Sequence, residues 1–145
     1  PEADPNDTSV GYGGFPDRDG NVTLDACIMD HTMNCGSVTY LQNIKHPISV
    51  ARKVMENTPH VMLSGKGALE FAISEGFQQE EMLTENAKKA WEEWKVKSEY
   101  KPIINVELHD TIGIMAIDKS NKIAGACTTS GAAFKMHGRV GDSPI

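Results

Sequence analysis

Residues 109–131 read HDTIGIMAIDKSNKIAGACTTSG, two apolar runs folded about a polar centre. Thr111 to Asp118 and Lys122 to Thr128 have the β-branched, alternating character of strands, and Lys119-Ser120-Asn121 between them supplies turn residues, so the stretch predicts a β-hairpin. Locally, Asp110 is a turn residue and Thr111 a β-branched strand starter. That reading leaves open why an acidic residue stands directly before a threonine, with Gly113 two residues further on.

Working back from the hairpin, the chain is strand-rich at its start and helical in its middle. Residues 1–21 are polar, and Gly11, Gly13, Gly14 and Gly20 give loop geometry. Val22 to Asp30 reads as a strand, and Cys35 to Tyr40 as its antiparallel partner across a short turn through Thr32 to Asn34. Pro47 opens a helix through Asn57, in which Ile48, Ala51, Val54 and Met55 recur at helical spacing and mark one buried face. Val61-Met62-Leu63 is a short strand, and Gly67 to Glu75 a second helix ending at Gly76. Thr84 caps a third helix through Trp94, whose tryptophans, Trp91 and Trp94, read as core or interface anchors. This order fits an α+β fold.

Size and charge narrow the function. The chain has 145 residues, 39% hydrophobic and 23% charged, with a formal net charge of −6. This is one domain's worth of sequence, able to bury a sizeable core. Its apolar runs reach about six residues, against the ~20 that a bilayer crossing needs, so no membrane is expected as a partner. Basic residues are scattered among acidic ones and form no stripe for a phosphate backbone, so nucleic acid is not expected either. There is no Gly-rich phosphate loop, dinucleotide fingerprint or Gly-x-Ser-x-Gly elbow, and no cofactor is expected.

Three cysteines, Cys27, Cys35 and Cys127, are too few for a disulfide scaffold. Cys27-x3-His31-x3-Cys35 offers only three ligands, and no metal is expected there; buried small residues or a Cys27–Cys35 hairpin disulfide both remain open. Asn6-Asp7-Thr8 and Asn21-Val22-Thr23 are glycosylation acceptors in form and fit a secretory route.

Hydroxyls and one arginine collect in the last 35 residues: Thr111, Thr128, Thr129, Arg139 and Asp142. HDTIG, CTTSG and HGRVGDSP, in that order and at this spacing, resemble the glycosylasparaginases, the aspartylglucosaminidase branch of the N-terminal nucleophile hydrolases. SVGYGG, DRDGNVTLDACIMD and HPISVARKVMENTPHVML resemble the same family, so the likeness runs along essentially the whole chain.

The resemblance implies a four-layer αββα sandwich and an answer to the opening question. Family precursors cut their own backbone before a threonine, which here is the Asp110–Thr111 bond, with His109 and Asp110 assisting or straining it. Cleavage would expose the Thr111 hydroxyl as a nucleophile and free an α-amine, of ordinary pKa about 7.7–8.0, as its base. One residue then supplies what a serine triad divides between two. Thr129 matches the family threonine beside the nucleophile, and Ser9 a position packed near it, while Thr128 reads as a strand residue facing its neighbour. Arg139 would clamp the substrate's free α-carboxylate in a bidentate pair, and Asp142 its α-ammonium.

On that reading the substrate is a glycosylated asparagine, and the reaction hydrolyses the N-acetylglucosamine–asparagine amide in glycoprotein breakdown. A sister activity, L-asparaginase or isoaspartyl dipeptidase, would use the same nucleophile and clamp. An inactive precursor or fragment is the reading from a different class. Residues 1–145 are expected to be one incomplete domain, with 1–110 ending an α-subunit and 111–145 beginning a β-subunit. The family chain has a strand and helix before Pro1 and a long continuation after Ile145. The remaining parts of the same protein are therefore expected partners, with a homodimer of processed protomers and a lysosomal or periplasmic, secreted home.

Overall fold

Among the described residues, 2–97 and 110–145 of a computed structural model, five strands and three α-helices follow the order that the periodicity suggests. Leu24–Met29 (β1) and Cys35–Leu41 (β2) form the first antiparallel hairpin. Its turn is closed by Asp30, whose Oδ1 accepts the Thr32 N–H at 2.8 Å, the Thr32 hydroxyl at 2.7 Å and the Asn34 N–H at 3.1 Å. The resulting register sets Met29, not Cys27, opposite Cys35. All three cysteines are free thiols, so of the two open readings the hairpin disulfide is the one that fails.

Pro47–Asn57 (α1) follows, with Pro47 in the first turn, where a missing N–H loses nothing. It carries the chain to Met62–Ser64 (β3), which pairs parallel with β2. Gly65–Ser74 (α2) and Glu85–Lys97 (α3) complete the helical middle. The Thr84 hydroxyl accepts the Ala87 N–H at 3.3 Å, the capping contact read from the sequence. Ile112–Ile117 (β4) and Ile123–Thr129 (β5) form the second hairpin, giving one sheet in the order β3-β2-β1-β5-β4.

The core lies on one face of this sheet. Val50, Ala51 and Val54 of α1 and Ala68 and Ala72 of α2 pack on Ala26, Val38 and Leu41. Helix and strand approach so closely that a Cβ on Gly36 would meet the Ala51 carbonyl oxygen at 2.2 Å. Helix α3 is anchored at its tryptophans. The Trp91 indole N–H donates to the Arg18 carbonyl at 3.0 Å, and Trp94 stacks on Phe134 with centroids 5.0 Å apart. This is an α+β arrangement of one sheet under helices. The second sheet and outer helix layer of the implied sandwich are not among the described residues.

Candidate active site

The register of the last hairpin builds the site. Ile112 pairs with Thr128 and Asp25 with Thr129. Because successive side chains alternate between faces, Thr128 and Thr129 point opposite ways. The Thr128 hydroxyl turns to the helical face and donates to Glu2 Oε1 at 2.8 Å, and the same oxygen accepts the Ile48 N–H at the start of α1. Thr128 thus ties the first residues, α1 and β5 together.

Thr129 faces the other way and meets the Asp110–Thr111 junction. Its hydroxyl donates to the Asp110 carbonyl oxygen at 2.8 Å and accepts the Gly131 N–H at 2.8 Å. The Ser9 carbonyl lies farther off, at 3.5 Å. Thr129 is buried, whereas Asp110 and Thr111 are exposed. A donor held from below is therefore aimed at the carbonyl that would gain negative charge if the Thr111 hydroxyl attacked it. This is the geometry of an oxyanion contact. Thr111 Oγ1 lies 3.4 Å from Ser143 Oγ, so a second, buried hydroxyl flanks that of Thr111.

Ser9 approaches through its backbone. Its carbonyl accepts the Ser130 N–H at 2.7 Å, which holds the loop after β5, but its hydroxyl turns away and donates to Asp7 Oδ1 at 2.8 Å. Burial raises the Asp7 carboxyl's pKa, but the N–H and hydroxyl of Ser9 and the N–H of Val10 outweigh it and hold the pKa below its ordinary value. His109 lies outside the described residues.

Arg139 and Asp142 sit on the loop that follows β5. Arg139 is half-buried against two glycines: a Cβ on Gly131 would stand 2.7 Å from its Nη1, and one on Gly141 at 2.8 Å. Asp142 is exposed, and its backbone carbonyl accepts the Ile145 N–H at 3.0 Å. A buried residue that the sequence reading passed over joins this loop to the segment entering β1. Lys135 is only 5% exposed, and its ammonium donates to the Thr23 carbonyl at 3.2 Å and to the Ser130 carbonyl. Lysine is almost never this buried without partners, and a lysine in a polar loop gives no sequence signal of burial.

Cys27, His31 and Cys35 are not gathered into a ligand set. Among the described residues, the one group with metal-ligand proximity is Asp17, Asp19 and His137. There the buried Asp17 carboxyl already accepts the N–H groups of Asp19 and Asn21, at 3.0 Å and 2.9 Å, and lies 3.3 Å from His137 Nδ1. These contacts close a turn, and burial with Asp17 alongside pushes the neighbouring Tyr40 hydroxyl's pKa up.

Comparison with known proteins bears on this geometry. The chain is 65% identical over 144 residues to an N(4)-(Beta-N-acetylglucosaminyl)-L-asparaginase of Elizabethkingia miricola, a match covering 99% of this chain and 42% of that protein. It is 39% identical to the Rattus norvegicus protein of that name, over 94% of this chain and 49% of the relative. For the Mus musculus protein of the same name the identity is 38%, over 96% and 49%. The chain therefore spans less than half the length of these relatives. Residues 2–145 match the family described as "Asparaginase", Asparaginase_2, and with nearly the whole chain inside that match, the protein belongs to this asparaginase family.

Proposed function

We propose that the parent protein is an amidohydrolase that cleaves the amide between N-acetylglucosamine and asparagine, after cutting its own chain at Asp110–Thr111. The observation that carries the proposal is the Thr129 hydroxyl held 2.8 Å from the Asp110 carbonyl oxygen, beside Thr111. The names of the relatives supply the leaving group.

In the processing step the Thr111 hydroxyl attacks the Asp110 carbonyl carbon. The C–N bond breaks as the ester forms, and the nitrogen takes up the proton as the α-amine of Thr111. Water then hydrolyses the ester, leaving a carboxyl on Asp110 and a free hydroxyl on Thr111. In turnover the same hydroxyl attacks the side-chain carbonyl of the substrate with its own amine as base, the glycosylamine leaves, and water releases aspartate. Arg139 and Asp142 would bind the α-carboxylate and α-ammonium, so asparagine within an intact polypeptide should be a poor substrate. A homodimer of processed protomers and a lysosomal or periplasmic, secreted site of action complete the proposal.

The family's broader description favours a second reading, hydrolysis of free asparagine or isoaspartyl dipeptides by the same machinery. N-terminal sequencing and denaturing mass spectrometry of the parent protein test processing. A chain beginning Thr-Ile-Gly-Ile is expected, and one running unbroken through Asp110–Thr111 would overturn the proposal. Comparing hydrolysis of the glycosylated and free amino acid then separates the two activities.

A further inference from the structure

Asp25 is a fully buried carboxyl, 1% exposed, on the central strand β1. One of its oxygens is fully engaged: Oδ1 accepts the Thr39 hydroxyl at 2.9 Å and the Tyr40 N–H at 2.8 Å. The other, Oδ2, is buried and has no hydrogen-bond partner among the described residues. Buried polar oxygens rarely go unpaired, and those that do call for an explanation.

The register supplies one. Asp25 stands directly across from Thr129. Cross-strand Cβ atoms on one face lie ~4.5–5.5 Å apart, so a carboxyl and a hydroxyl extending from them can meet after a modest rotation. In the unbroken chain the single Thr129 O–H is occupied, because it donates to the Asp110 carbonyl. Once the Asp110–Thr111 bond is cut and Asp110 is released from the strand end, that acceptor is gone. Of the remaining acceptors, the Ser9 carbonyl is 3.5 Å away and already takes the Ser130 N–H.

We infer that Asp25 is a positioning residue that acts through Thr129. Its Oδ2 waits unpartnered while the chain is intact and accepts the Thr129 hydroxyl after cleavage, orienting it beside the Thr111 nucleophile for turnover. Processing and turnover would thus use one hydroxyl in two orientations. The inference rests on the proposed self-cleavage.

The test compares the full-length wild-type protein with Asp25→Asn. Asparagine keeps an acceptor for Thr39 and Tyr40 but places an NH2 donor where Oδ2 stood, so it cannot receive the Thr129 hydroxyl. Processing at Asp110–Thr111 is expected near the wild-type rate, while kcat of the processed enzyme falls by about 10- to 100-fold with KM little changed. Loss of processing and turnover together, or turnover at the wild-type rate, would overturn the assignment. Should the variant not fold, a structure of the processed wild-type protein decides: Thr129 Oγ1 within hydrogen-bond distance of Asp25 Oδ2 is expected, and any other acceptor there overturns it. A wild-type chain that never cleaves would count against the proposed function instead, which keeps the two failures apart.

Discussion

Replacing Thr111 with alanine removes the proposed nucleophile and should abolish both chain cleavage and hydrolysis, which gel analysis and a product assay would read separately. Thr129→Val removes the donor on the Asp110 carbonyl, and with it the acceptor of the Gly131 N–H. On the scale of a lost oxyanion donor, cleavage should slow by roughly 10²- to 10³-fold, seen in a time course of precursor disappearance. Gly131 adopts a φ of +76°, and a Cβ there would lie 2.7 Å from Arg139 Nη1 and 2.8 Å from Lys135 Nζ. Gly131→Ala should therefore displace Arg139, the proposed carboxylate clamp, and raise KM more than it lowers kcat. Burial, with the Cys127 thiol next to it, lifts the Cys27 pKa. Less Cys27 is thiolate at neutral pH, so its alkylation should lag that of a small free thiol and catch up as the pH rises, a trend peptide mass spectrometry would show.

At the scale of elements, the sequence made the strands and helices visible because each carries its own period, turn residues or cap. The Lys119-Ser120-Asn121 turn, Pro47 at the start of α1 and Thr84 before α3 were all legible for that reason. Pairing was less so. That β3 runs parallel to β2, and that β5 inserts beside β1 and so sets which of Thr128 and Thr129 takes the helical face, depends on long-range register, which no local pattern encodes. The same limit hid Lys135 and the buried Oδ2 of Asp25, since each owes its environment to residues distant in sequence. Gly36 is a case where a small residue has a long-range cause: with the Ala51 carbonyl 2.2 Å from a would-be Cβ, Gly36→Ala must push α1 off the sheet. A loss of about 1–3 kcal/mol in urea unfolding of the parent protein is expected from such overpacking.

For the molecule as a whole, the strand order β3-β2-β1-β5-β4 has a mechanical meaning. A cut at Asp110–Thr111 would assign β1, β2 and β3 to one polypeptide and β4 and β5 to the other. The boundary would then run down the middle of the sheet, along the β1–β5 ladder from Asp25–Thr129 to Met29–Gly125. Peptides joined this way separate only by unzipping consecutive backbone hydrogen bonds together, a cooperative event resembling unfolding rather than the dissociation of two docked surfaces. The nicked protein should accordingly travel as a single particle in native gel filtration at any dilution and resolve into two bands only in denaturant, with the heirs of one chain held together by the sheet they folded as neighbours.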